Sequence, residues 1–142
     1  MFLPITLTSA AVAALIAIWL MVRIGQVRRA EKIMHGDGGN ALLSRRMRAQ
    51  LNYVESAPFV LILIAAIELA GRDGLWLTIM AALFWIGRVL HGIGMDADTG
   101  GKARMAGTII TMVTLLVLAI VAVLIGLDIL PARIDQPVAV IV

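Results

Sequence analysis

Cysteine is absent from this sequence of 142 residues, and histidine occurs only twice. Without cysteine the chain holds no disulfide, no thiolate metal site and no cysteine nucleophile. With so few histidines, a dedicated metal site is not expected either. Charged residues are also scarce: they make up 15% of the chain, whereas about 25% is usual in soluble domains.

Apolar residues take the place of the missing charges. They make up 61% of the chain, and the mean hydropathy is +1.00. This composition excludes a soluble globular enzyme, a disordered chain and a coiled coil. It predicts an integral membrane protein with a single domain, which contacts membrane lipid and for which no nucleic-acid partner is expected.

Four segments reach the length and apolar character that a helix needs to cross roughly 30 Å of hydrocarbon. Helices are the expected structure because backbone polar groups cannot be left open in lipid. The sequence therefore predicts an all-α bundle of four transmembrane helices. The expected bounds are about 3–27, 49–70, 75–95 and 105–127, with a cytoplasmic loop over about 28–46 and a short outer tail over 128–142.

The basic residues divide unequally between the two sides of such a bundle. Ten of the twelve lie in or beside the first and third loops, and only Arg72 and Arg133 fall on the other side. Basic loops stay in the cytoplasm. The distribution therefore predicts that these two loops are cytoplasmic and that both termini are outside.

Polar residues interrupt the inner ends of helices two and three, at helical spacing along one face of each. In helix two they are Arg45, Arg48, Asn52 and Glu55, and in helix three they are Arg88 and His91, followed by Met95. Ionisable groups inside a span are costly, and they tend to face protein or a water-filled cavity. The pattern predicts a polar pocket between helices two and three that opens to the cytoplasm.

Simpler interpretations of some charged residues stay open beside this one. Glu55 and Arg88 can form a structural ion pair that joins the two helices. Arg46 is interpreted as a contact with lipid headgroups through its long side chain. Glu68, near the outer interface, is interpreted as a surface pair with Arg72, four residues later.

Several motifs resemble one known family. Segment 48–59, R-A-Q-L-N-Y-V-E-S-A-P-F, is similar to the signature R-A-x-x-N-x-x-E-x-x-P of the MAPEG family (membrane-associated proteins in eicosanoid and glutathione metabolism). Segment 87–91, G-R-V-L-H, resembles the family's G-R-x-x-H at the end of helix three. Segment 25–28 and the glycine-rich loop 36–39 are also similar, the latter to bacterial members. The resemblance covers nearly the whole chain.

The resemblance implies a homotrimer of four-helix subunits, with twelve helices in all, in a bacterial inner membrane. It implies glutathione as co-substrate, bound between subunits near the cytoplasmic side, and a lipophilic electrophile or hydroperoxide that arrives from the bilayer. Arg104 stands where the family carries its catalytic arginine and would stabilise the thiolate. The implied glutathione contacts are Arg28, Arg48, Asn52, Glu55 and His91.

The sequence departs from the family at aromatic positions. Met95 stands where members with eicosanoid activities carry tyrosines, and Ser56 stands where some members carry an aromatic residue. The resemblance therefore does not imply a specific eicosanoid synthase. Two other hypotheses stay open, namely a small transporter with Glu55 as a proton-coupled site, and a family member that binds an anion without turning it over.

Overall fold

The computed structural model describes residues 2–98 and 101–133, and within these ranges the chain forms four α-helices and no strand. The bounds are α1 Pro4–Glu31, α2 Ala41–Leu69, α3 Leu75–Gly94 and α4 Lys102–Gly126. All four helices are long enough and apolar enough to cross a membrane. The prediction of an all-α bundle with four transmembrane helices is confirmed.

Three helices extend further at the basic end than the sequence predicted. α1 continues to Glu31 rather than to 27, α2 begins at Ala41 rather than at 49, and α4 begins at Lys102 rather than at 105. Asn40 explains the early start of α2, because its side chain accepts a hydrogen bond from the Leu43 amide at 2.9 Å. The loop therefore spans only 32–40 instead of 28–46. The predicted spans ended at charged residues, whereas the helices continue past them. The part of the predicted tail after 133 lies outside the described residues.

The helices pack as two hairpins, α1 with α2 and α3 with α4. α2 packs on α4 and α1 packs on α3, while α1 and α4 do not contact each other within the described ranges. The α2–α4 side and the α1–α3 side therefore face in opposite directions. The loop after α1 and the turn after α3 meet at one end, here called the basic end, which holds ten of the twelve basic residues.

The core of the bundle is built from side chains that all four helices bury. Phe84, Ile64 and Leu118 are fully buried, and the Tyr53 hydroxyl donates to the Ala13 carbonyl at 2.6 Å, which joins α2 to α1. A Cβ atom at Gly107 would collide with the backbone of α3. This glycine therefore allows the two helix backbones to approach closely, as small residues do in membrane bundles.

Glu68 lies at the opposite end of the bundle, where its carboxylate closes the start of α1. It is 6% exposed and accepts hydrogen bonds from the Ile5 amide (2.9 Å), the Thr6 amide (2.8 Å) and the Thr6 hydroxyl (2.6 Å). First-turn amides lack partners within their own helix, and they favour a negative charge. The predicted surface pair with Arg72 is wrong, because Arg72 instead donates to the Pro131 carbonyl.

The Glu68→Gln substitution tests this contact. It removes the negative charge and turns an amide donor toward amides that need an acceptor, so we expect the free energy of unfolding to fall by about 1–3 kcal/mol. Thermal unfolding of the protein in detergent measures the change. Glu31→Gln, at an exposed position in the last turn of α1, is the matched control. Equal stability of the two variants would contradict the capping role.

Candidate functional site

A cavity of about 470 Å³ lies at the basic end, where α2, α3 and α4 meet. Four of the six predicted site residues line it. They are Arg48 and Asn52 from α2, His91 from α3 and Arg104 from α4. None of the described residues that line this cavity carries a carboxylate. We call it the α2–α4 cavity.

Arg28, the fifth predicted residue, lies elsewhere. It lines a second cavity of about 820 Å³ that is formed by α1, α2 and the loop between them. Arg48 lines both cavities. The Nη1 atom of Arg28 is buried and has no hydrogen-bond partner among the described residues.

Glu55, the sixth predicted residue, lines neither of these two cavities. It is exposed on the surface of α2, as are Arg48 and Asn52. Glu55 lies fourteen residues before the end of α2, a distance of about 21 Å along the helix axis. This places a charged group on the outer surface of a single subunit at a depth where the bilayer is hydrocarbon.

Arg88 does not form the ion pair with Glu55 that one interpretation predicted. Its Nη1 atom donates to the Asn52 carbonyl at 3.2 Å and to the Ser56 hydroxyl at 3.0 Å. The residue is 4% exposed, and its Nε atom has no partner within the described part of the chain. A buried cation without a carboxylate raises the positive potential around it. Arg88 precedes His91 by one helical turn, so this potential acts close to the α2–α4 cavity.

Arg46 contacts protein and not lipid headgroups, so that prediction is wrong. Its Nε and Nη2 atoms donate to the two carboxylate oxygens of Asp96 at 3.0 and 2.8 Å, and its Nη1 atom donates to the Arg23 carbonyl at 2.8 Å. Arg23 pairs with the same carboxylate at 2.6 Å. Sequence reasoning missed this cluster. The available signal was Asp96 itself, an acid that directly follows helix three among basic segments.

The Arg23–Asp96–Arg46 cluster ties α1 and α2 to the turn that follows α3. Arg23 also donates to the Gly92 carbonyl at 2.8 Å, and its guanidinium lies 4.6 Å from the centre of the Trp19 ring. Burial raises the pKa of Asp96, but the hydrogen bonds from Arg46 and Arg23 outweigh burial and hold this pKa below its usual value. The cluster fixes the turn across which α3 and α4 present their cavity residues.

Six arginines of the basic end fall into two groups, apart from Arg28 at the second cavity and the exposed Arg29. Arg23 and Arg46 pair with Asp96, and Arg45 pairs with Asp98 at 2.7 Å. The second group, at or behind the α2–α4 cavity, forms no ion pair with any described residue. Its members are Arg48, Arg88 and Arg104. An anionic ligand is therefore the electrostatic complement of the cavity.

Four helices that can span a membrane, with a cavity lined by arginines at one end of the bundle, define an integral membrane protein. The MAPEG family model matches residues 6–124, a range that contains all six predicted site residues, and the chain therefore belongs to the MAPEG family. At family level this makes it a membrane protein of glutathione or eicosanoid metabolism. No curated protein matches the chain.

The Asp96→Asn substitution tests the cluster through its pH dependence. We expect the free energy of unfolding to fall by about 1–3 kcal/mol at pH 7, because two partly buried arginines lose their counter-charge, an effect that partial exposure reduces. The folded state lowers the pKa of Asp96. The contribution of the Asp96 carboxylate to the free energy of unfolding is therefore fully present above the ordinary carboxyl pKa. It is lost as the pH falls through the pKa that Asp96 has in the folded state.

The difference between wild type and Asp96→Asn should accordingly shrink below about pH 4. Denaturation in detergent at several pH values measures it. Asp73→Asn, at an exposed aspartate of the opposite end, should match wild type throughout. A difference between wild type and Asp96→Asn that stays constant down to strongly acidic pH would contradict the pairing.

Proposed function

We propose that the protein is a glutathione-dependent membrane transferase or peroxidase that acts on lipophilic electrophiles or hydroperoxides. Membership of the MAPEG family supports the broader class. The observation that carries the finer proposal is the α2–α4 cavity, which is lined by Arg48, Asn52, His91 and Arg104 and by no carboxylate of the described residues. Its volume of about 470 Å³ falls in the usual range of small-molecule sites.

The charges of glutathione complement those of the site. Glutathione carries two carboxylates and one ammonium, and arginine binds carboxylates through charge-assisted and often bidentate hydrogen bonds. In this proposal Arg28 and Arg48 hold the carboxylates, and Asn52 and His91 supply neutral hydrogen bonds to the peptide part. Glu55 receives the ammonium.

Arg104 acts on the sulfur. A thiol with a pKa of about 8.5 is mostly protonated at neutral pH, and a nearby arginine favours the thiolate. The thiolate forms a bond to the electrophilic carbon, and the leaving group departs with its bonding pair. With a hydroperoxide, the thiolate attacks oxygen, the O–O bond breaks and an alcohol leaves after protonation. A second glutathione then converts the sulfenic acid to disulfide and water.

We infer that a neighbouring subunit completes the site in a homotrimer. Arg48, Asn52 and Glu55 are exposed on α2 of the single subunit. A charged group that faces lipid at this depth costs about 3 kcal/mol even on the insertion scale, which gives the lowest values. A second subunit over this stripe would remove the cost and bring Glu55 and an Arg28-lined cavity to the same ligand. In this proposal the protein lies in a bacterial inner membrane, and the basic end faces the cytoplasm.

The alternative of a proton-coupled transporter has less support. A coupling carboxylate is expected to line an internal pathway, whereas Glu55 lies outside both cavities of the basic end. The other alternative, a family member that binds an anion without turnover, differs from the proposal only in the chemical step that the proposal assigns to Arg104. The two experiments that follow separate binding from turnover.

Titration calorimetry of glutathione into the purified protein tests binding. We expect saturable heat, and Arg48→Ala should raise the Kd about tenfold or more, because it removes a charge-assisted contact that both cavities share. Arg29→Ala, at an exposed position that lines neither cavity, should keep the wild-type Kd. Absence of heat and of any thermal shift at millimolar glutathione would contradict the proposal.

Conjugation of a model electrophile tests turnover. We expect Arg104→Ala to lower kcat about 100-fold, the usual loss when one group that stabilises developing charge is removed. The ultraviolet absorbance of the bound thiolate should appear at higher pH in this variant. Lys102→Ala, which alters an exposed cation on the first turn of the same helix, is the control and should conjugate at the wild-type rate. Full activity of Arg104→Ala would remove this arginine from the mechanism.

A further inference from the structure

The backbones of α3 and α4 contact each other at two successive turns beside the α2–α4 cavity. A Cβ atom added at Gly94 of α3 would collide with the Arg104 amide nitrogen and would lie 2.8 Å from the Arg104 Cα atom. One turn further along α4, a Cβ atom at Gly107 would lie 2.6 Å from the His91 amide nitrogen. Each of these glycines therefore packs on the backbone of a residue that lines the cavity.

Gly94 is a glycine because of this close approach and not because of its own backbone conformation. It is the last residue of α3, it is buried, and it is not among the glycines with a positive φ. Alanine would therefore fit the backbone of α3 and would favour the helix. The feature that excludes a larger residue is the first turn of α4, since the atoms nearest to an added Cβ belong to Ala103 and Arg104.

A Cβ atom at Gly94 would force the first turn of α4 away from α3. Carbon atoms in ordinary contact lie about 3.5–4 Å apart, so the backbone of Arg104 would have to retreat by roughly 1 Å. The Gly107 contact holds the next turn of α4 against α3, and the displacement is therefore concentrated at Arg104. Arg48 and Asn52 line the cavity from α2 and are not among the atoms that the new Cβ would meet.

We propose that Gly94 is a positioning residue, which sets the distance between the Arg104 guanidinium and the sulfur of bound glutathione. This inference rests on the proposed function, in which Arg104 stabilises the thiolate. A hydrogen bond that lengthens by about 1 Å is lost, and a displacement of this size can lower a rate about 100-fold. Gly94 does not itself line the cavity, so it acts on the substrate only through Arg104.

Titration calorimetry with two unreactive analogues of glutathione isolates this effect. Glutathione sulfonate carries a permanent negative charge at the sulfur, whereas ophthalmate carries a methyl group in place of the thiol. The ratio of their Kd values measures the attraction of Arg104 for charge at the sulfur position, because contacts with the rest of the peptide are common to both. We expect wild type to bind the sulfonate about tenfold more tightly, the effect of one charge-assisted hydrogen bond.

Gly94→Ala should reduce this preference at least about threefold, while its Kd for ophthalmate stays at the wild-type value. The pH at which bound glutathione thiolate absorbs in the ultraviolet should rise in the same variant, because Arg104 then favours the thiolate less. A general loosening of the bundle would weaken both analogues alike and leave the ratio unchanged. Gly126→Ala, at the other end of α4, is the matched control, since an added Cβ there meets no atom within 4 Å.

The possible results separate this inference from the function on which it rests. A full preference for the sulfonate in Gly94→Ala would overturn the inference alone and leave the proposed function intact. Unfolding of this variant, or dissociation of its oligomer, would show that the contact holds the bundle together instead of positioning Arg104, and would also overturn the inference. Equal affinity of wild type for both analogues, or binding of neither, would overturn the role proposed for Arg104 and the inference together.

Discussion

The pairing of Asp96 with Arg23 and Arg46 is the interaction on which the basic end depends. Two guanidinium groups share one carboxylate at 2.6 to 3.0 Å, and the three residues come from α1, α2 and the turn after α3. Charges this close to hydrocarbon are tolerated only with good partners. The pairing of Asp96 with Arg23 and Arg46 fixes the turn between α3 and α4, and His91 and Arg104 on these two helices then line one cavity.

The ion pairs at the basic end distinguish arginines that stabilise the fold from arginines at the cavity. Asp96 and Asp98 both pair with arginines that do not line the α2–α4 cavity. Arg48, Arg88 and Arg104 are left without a carboxylate among the described residues. Their shared potential stabilises whatever negative charge enters the cavity. The opposite side of the bundle carries no such excess, because none of the described residues that line the cavities between α1 and α3 is charged.

The sequence was sufficient where the relevant signal is local. Helix number followed from apolar runs, and the stripe of Arg48 and Asn52 followed from helical spacing within α2. It failed where a charged side chain had a distant partner. Glu68 was assigned to Arg72 because that residue is near in sequence, whereas the amides of α1, more than sixty residues away, need an acceptor more. The carboxylate that binds Arg46 is likewise fifty residues distant, and no spacing rule predicts that contact.

The position of Glu55 depends both on helical spacing and on the packing of the helices. Spacing places it on the same stripe of α2 as Asn52, but spacing does not say whether that stripe faces the bundle interior. Tertiary packing turns it outward, because Arg88 fills the interior beside Ser56 with its own hydrogen bonds. A carboxylate on the outside of a membrane helix needs a partner from beyond the subunit. The position of Glu55 is therefore the structural reason for our proposal that one subunit is an incomplete site, and that a neighbour and a cationic group of the ligand supply the missing contacts.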